Sequence, residues 1–157
     1  MSVEISQRLQ QLGLTLPKAA VPVANYVAYV QSGNLLFVSG QLPVNANGEL
    51  SCKGQVGEQV SLEEAKAAAQ LCLLNILGQV NAACDGDLGR VSRVVKLGGF
   101  VNAAAGFADH AQVINGASDL VSEVFGAKGE HARAAVGCSS LPLDAAVEVE
   151  AIFELSH

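Results

Sequence analysis

The chain has 157 residues, half of them hydrophobic and 15% charged, with 15 Asp and Glu against 9 Lys and Arg for a formal net charge of −6. That length predicts one domain with a real core. A charged share below the roughly 25% usual for soluble proteins predicts that some apolar surface is covered in an oligomer. The scattered basic residues and the absence of Trp exclude a phosphate-tracking or base-stacking surface, so nucleic acid is not an expected partner.

Ile5, Leu9 and Leu12 recur at helical spacing, and Gly13 follows as a stop, which predicts a short N-terminal helix. The start, Met1-Ser2-Val3-Glu4-Ile5, lacks the basic and apolar regions of a signal peptide. Pro17 and Pro22 mark an irregular connection. Tyr26 to Val30 reads as extended, Ser32-Gly33-Asn34 supplies turn chemistry, and Leu35-Leu36-Phe37-Val38 resumes as a strand, so the two runs form a hairpin ended by Ser39-Gly40-Gln41. Ser61-Leu62-Glu63-Glu64 is a capping box. Behind it an Ala-rich helix runs to about Ala83, with Leu62, Ala65, Ala69, Cys72, Ile76 and Val80 on one stripe. Arg90 to Val101 is β-rich, and its Gly98-Gly99 pair predicts a bulge or a close backbone approach. A second main helix spans about Asp109 to Phe125, stopped by Gly126. Arg133 to Cys138 and Ala145 to Leu155 are read as a closing hairpin.

This order predicts a single α+β domain over residues 1–157: a mixed sheet with two main helices on one face, plus the short N-terminal helix. Residues 1–25 form the helix and extended lead-in, and residues 26–155 the core. In the last strand Val147, Val149, Ala151 and Phe153 alternate with Glu148, Glu150, Ile152 and Glu154. One face should therefore meet the helices, and the other carries carboxylates that would line a cleft if that face joins subunits. Cys52, Cys72, Cys84 and Cys138 form no C-x-x-C pair and have no His at zinc spacing, so free thiols in a reducing compartment are expected. No apolar stretch approaches the ~20 residues of a membrane span. A cytoplasmic protein with no membrane partner follows.

Arg133 and Glu148 draw attention for their chemistry. A guanidinium can hold a planar carboxylate through parallel hydrogen bonds, and a nearby carboxylate can hold a water or move a proton. Together they suit a small acidic substrate that must be hydrated. Read by composition alone, Arg133 equally serves as an ion-pair partner, and Glu150 is the equal of Glu148. His110 and His131 share no nucleophile motif with any Ser or Cys and read as loop or helix-end residues. His157 is terminal.

The segment Gly33-Asn34-Leu35-Leu36-Phe37-Val38-Ser39-Gly40-Gln41-Leu42-Pro43, and the later Ala132-Arg133, Leu141-Pro142 and Val147-Glu148-Val149-Glu150, resemble in order the two signatures of the Rid family. This family of enamine/imine deaminases is also called YjgF-type or L-PSP endoribonuclease-like. The resemblance runs from about Tyr26 to Phe153. It implies a chorismate-mutase-like fold and a homotrimer with sites in the clefts between subunits. Carried over by position, Arg133 matches the arginine that grips the substrate carboxylate, and Glu148 the glutamate that places the attacking water. Tyr26 matches a tyrosine lining the cleft, Ser39 the serine of the turn, and Gly40 its backbone contact. Asn115 matches a cleft asparagine once one residue is inserted between it and Arg133.

The implied reaction is hydrolysis of a 2-enamine or 2-imino carboxylate to a 2-keto acid and ammonia, with no metal or organic cofactor. The chain departs from the pattern at Ala135, where the family commonly has Cys, and in its extended N-terminus and Gly98-Gly99 pair, which resemble a longer branch. The missing thiol leaves open a non-catalytic trimer that binds small carboxylates or a protein. The acidic charge argues against the endoribonuclease of the older family name.

Overall fold

The structure, a computed structural model, describes residues 2–22 and 24–157. Helix α1 spans Ser2–Gln11. Ile5 and Leu9 are buried, and Arg8 donates to the Val124 carbonyl at 3.0 Å, tying the helix to the body of the protein. Leu12 falls beyond the last helical turn and is 38% exposed, so the predicted apolar stripe stops short of it. Strands β1 (Tyr29–Ser32) and β2 (Leu35–Gln41) form the expected hairpin, turning on Gly33 at φ +61°. The first strand starts at Tyr29, so Tyr26 lies on an irregular lead-in rather than on the predicted extended run.

Helix α2 (Leu62–Ala83) begins at the capping box: the Glu64 amide donates to Ser61 Oγ at 3.1 Å, and the Ser61 amide donates to Glu64 Oε1 at 3.3 Å. Strand β3 (Val91–Asn102), helix α3 (His110–Phe125) and strand β4 (Ala132–Cys138) make a crossover unit, and β5 (Val147–Leu155) closes the chain. The five strands lie in the order β1-β2-β5-β3-β4. All neighbours are antiparallel except β3 and β4, which are parallel.

The expected closing hairpin is therefore a correction: β4 and β5 do not pair, and β3 lies between them. Helix α3 returns the chain to the same end of the sheet, as a parallel crossover requires, and β5 then fills the centre beside β2. The connection between them carries Leu143 and Asp144 at φ 58° and 61°.

Both main helices cover one sheet face. Phe153, Leu73, Ile76, Leu77, Leu97 and Ile114 are fully buried there, each contributing about 1.5–3 kcal/mol by leaving water. Pairing across Gly98-Gly99 is unbroken, and the irregularities of β3 fall earlier, between Val91 and Lys96. The close-approach reading holds instead: a Cβ on Gly99 would stand 2.9 Å from Ile114 Cγ2, so glycine lets α3 settle on the sheet. The opposite sheet face is uncovered in the single chain. It carries exposed Val30, Phe37 and Val136, with Glu148 and Glu150 between them in register. No helix among the described residues is long and apolar enough to cross a membrane.

Candidate functional site

Arg133 stands on β4, the edge strand, paired in register with the buried Leu97. Paired residues point to the same side of a sheet, so Arg133 projects on the side of α3. There its Nη1 donates to Asn115 Oδ1 at 2.7 Å and to Ser118 Oγ at 3.2 Å. Asn115 and Ser118 lie three apart on α3 and so share a helix face. Arg133 remains exposed. Among the described residues it meets no carboxylate, and its other N–H groups find no acceptor. The fork is thus anchored through one nitrogen, with donors left for an anion.

Glu148 lies on β5 opposite Phe100, on the uncovered face. Its carboxyl is half-buried, and burial, followed by the neighbouring Glu150 carboxylate, pushes its pKa above the ordinary value. It packs directly over Gly40. A Cβ there would overlap the carboxylate and stand 2.9 Å from Glu148 Cδ. Gly40 sits where the pairing of β2 with β5 shifts between Val38 and Gln41, and this irregularity opens the notch that the carboxylate fills. Beside it the Ser39 hydroxyl donates to the Val27 carbonyl at 2.8 Å, and the Ser39 amide donates to the Ala28 carbonyl at 2.8 Å. Ser39 thereby pins the lead-in that carries Tyr26. Tyr26 itself is 54% exposed and lines an open crevice with Val21, Pro22 and Gln79.

The six expected residues therefore fall into two groups. Arg133 and Asn115 meet at the β4 edge on the helix side. Glu148, Gly40 and Ser39 meet on the uncovered face, with Tyr26 on the lead-in near the β1 edge. Strands lie about 4.8 Å apart, which puts β4 roughly 10 Å from β5 and roughly 14 Å from β2. Within one chain Arg133 and Glu148 face away from each other and cannot grip one small molecule.

Ser118 escaped the sequence reading, and His131 was set aside there as a loop or helix-end residue. Both join Arg133 in a hydrogen-bonded chain, with Ser118 Oγ 2.9 Å from His131 Nε2 and His131 Nδ1 2.6 Å from the Gly129 carbonyl oxygen. Only the helical spacing of Ser118 from Asn115 hinted at it. Nothing in the sequence linked either to His131. All four cysteines are free. Burial pushes the Cys72 thiol well up, with the Glu148 charge adding to it.

Comparison with known proteins places the chain in a lineage. Residues 6–155 match the family model described as "YjgF/chorismate mutase-like, putative endoribonuclease". Protein TCP17 of Trypanosoma cruzi is 50% identical over 99% of this chain and 97% of its own length. A 2-iminobutanoate/2-iminopropanoate deaminase of Dermatophagoides farinae is 28% identical over 88% of this chain and 92% of its own. The crystal structure of Atu1372 from Agrobacterium tumefaciens, a protein of unknown function, superposes with a TM-score of 0.93 at 51% identity, covering 99% of this chain and 94% of that one.

Proposed function

The chain belongs to the YjgF/chorismate mutase-like family, and on that premise we propose that it hydrolyses 2-imino carboxylates, or their enamine tautomers, to 2-keto acids and ammonia. The observation that carries this reading is Arg133, an exposed guanidinium held by Asn115 through one nitrogen with no carboxylate partner among the described residues. The deaminase of Dermatophagoides farinae supplies the reaction class.

The site is read as composite. One subunit presents Arg133 and Asn115 from its β4 edge, and a neighbour in a homotrimer presents Glu148, Gly40, Ser39 and Tyr26. Opposite faces within one chain, and the exposed Phe37 and Val136 on the uncovered face, support that arrangement. Arg133 takes the substrate carboxylate through paired N–H donors. Glu148, ionised, accepts a proton from water as its oxygen bonds to the imine carbon and the C=N π pair moves to nitrogen. The proton then passes to nitrogen to give the carbinolamine; Glu148 next carries the carbinol hydroxyl proton to the same nitrogen, and as the oxygen pair forms C=O the C–N bond breaks and ammonia leaves. Holding water and imine together replaces a bimolecular encounter. Burial in the Gly40 notch raises the basicity that Glu148 needs. The four free thiols suit a reducing cytoplasm, where such imines would be met.

The deciding experiment follows the decay of freshly generated 2-iminopropanoate with purified wild type and Arg133→Ala. Loss of the clamp should lower kcat/KM by about 100-fold or more, as for removal of a charged, well-oriented contact, with the oligomer intact. Equal turnover in the two proteins would sink the proposal. Ala135, at the place where the family carries a thiol, favours a second reading, a trimer that captures keto acids without turnover. Binding of 2-oxobutanoate by a wild type that leaves imine decay unchanged would select it.

A further inference from the structure

Arg133 is long, exposed and on an edge strand, so its rotamer freedom works against a fixed grip on any anion. The chain behind it addresses that freedom. Ser118 Oγ accepts from Arg133 Nη1 at 3.2 Å and lies 2.9 Å from His131 Nε2. His131 Nδ1 lies 2.6 Å from the Gly129 carbonyl oxygen, which has no proton to give. Nδ1 therefore carries a ring proton, a tautomer assigned from its partner, and in that tautomer Nε2 accepts the Ser118 hydroxyl proton. With that proton committed, the hydroxyl presents its lone pairs to Arg133. Every bond then points one way, from Arg133 to Ser118 to His131 to Gly129, and each polarises the next. The far end is rigid as well: Gly129 is buried, and a Cβ on it would stand 2.6 Å from the Val121 carbonyl oxygen of α3.

We propose that Ser118 and His131 are positioning residues that hold the Arg133 guanidinium at the angle at which its remaining N–H groups meet a carboxylate. The inference rests on the reading of Arg133 as the anion clamp.

Calorimetry of the full chain with 2-oxobutanoate as probe tests the chain. Ser118→Ala and His131→Phe should each weaken binding about tenfold, the effect of losing one hydrogen bond to a charged group. His131→Gln, whose amide oxygen can accept from Ser118, should restore binding to within about threefold. Wild-type affinity in both Ser118→Ala and His131→Phe overturns the proposal, as does a His131→Gln protein as weak as His131→Phe. Arg133→Ala separates the two levels. If it binds like wild type, the clamp reading fails. If it loses binding while Ser118→Ala does not, only the positioning role fails.

Discussion

At the scale of single residues, Glu148 links its surroundings to a measurable pH dependence. Desolvation in the notch and the charge of Glu150 both disfavour its carboxylate, so the folded protein ionises it at a higher pH than an exposed glutamate. A base must be ionised to act, so kcat/KM should fall as pH drops through this raised pKa, with a midpoint above that of an exposed glutamate. Glu148→Gln should remove that limb and cost about 10²–10⁴-fold in rate. An acid limb that persists in Glu148→Gln would assign the proton transfer to another group. The register of the C-terminal motif singled out Glu148 over Glu150, although composition treats them alike. The structure separates them physically: Glu148 fills the notch at Gly40, whereas Glu150 lies over Gly98, where a Cβ would stand 2.9 Å from its Cγ. His131 was not legible in this way. Its role depends on a helix, a loop and a strand meeting at one hydroxyl, and no local spacing records such a meeting.

At the scale of elements, glycines set how closely layers approach. Gly116 lies on α3 between Asn115 and Ser118, and a Cβ on it would stand 2.9 Å from the Lys66 carbonyl carbon on α2. Backbone cannot give way as a flexible side chain can. Gly116→Ala should therefore destabilise the fold by about 1–3 kcal/mol through overpacking, read as a lower urea midpoint at unchanged slope. By lifting the face that holds Arg133 it should also weaken 2-oxobutanoate binding. Unaltered stability would mean that the two helices separate at no cost. Element types were readable because alternation and helical periodicity are properties of the local backbone: the capping box at Ser61, the stop at Gly126 and the apolar face of β5 all stand where the pattern puts them. The closing hairpin was misread because periodicity identifies a strand and says nothing of its neighbour. The chain between β4 and β5 is short enough for a hairpin, yet β3 stands between them.

At the scale of the whole molecule, the opposed faces of Arg133 and Glu148 yield a test that no single-site variant can supply. Arg133→Ala and Glu148→Gln should each be inactive alone. Unfolded together and refolded as mixed trimers, they should recover about a quarter of wild-type activity, the share of clefts that random assortment gives two intact groups. No recovery, with mixed assembly verified by mass, would mean that both groups act from one chain or that neither acts. Sedimentation should report three times the 16.1-kDa chain mass. Phe37→Glu, a charge on the uncovered face, should break that assembly and the activity with it.

The amino-acid sequence by itself determined the strands and helices, the two-sided character of β5, the acidic surface and the motif that selects Arg133. These follow from backbone periodicity and from residue types a few positions apart. Only the tertiary structure decided that β5 sits between β2 and β3, that the guanidinium and the carboxylate leave the sheet on opposite sides, and that His131 stands behind Ser118. Those outcomes turn on which distant surfaces pack together, an energy shared among elements far apart in the chain and therefore written in no single stretch of it.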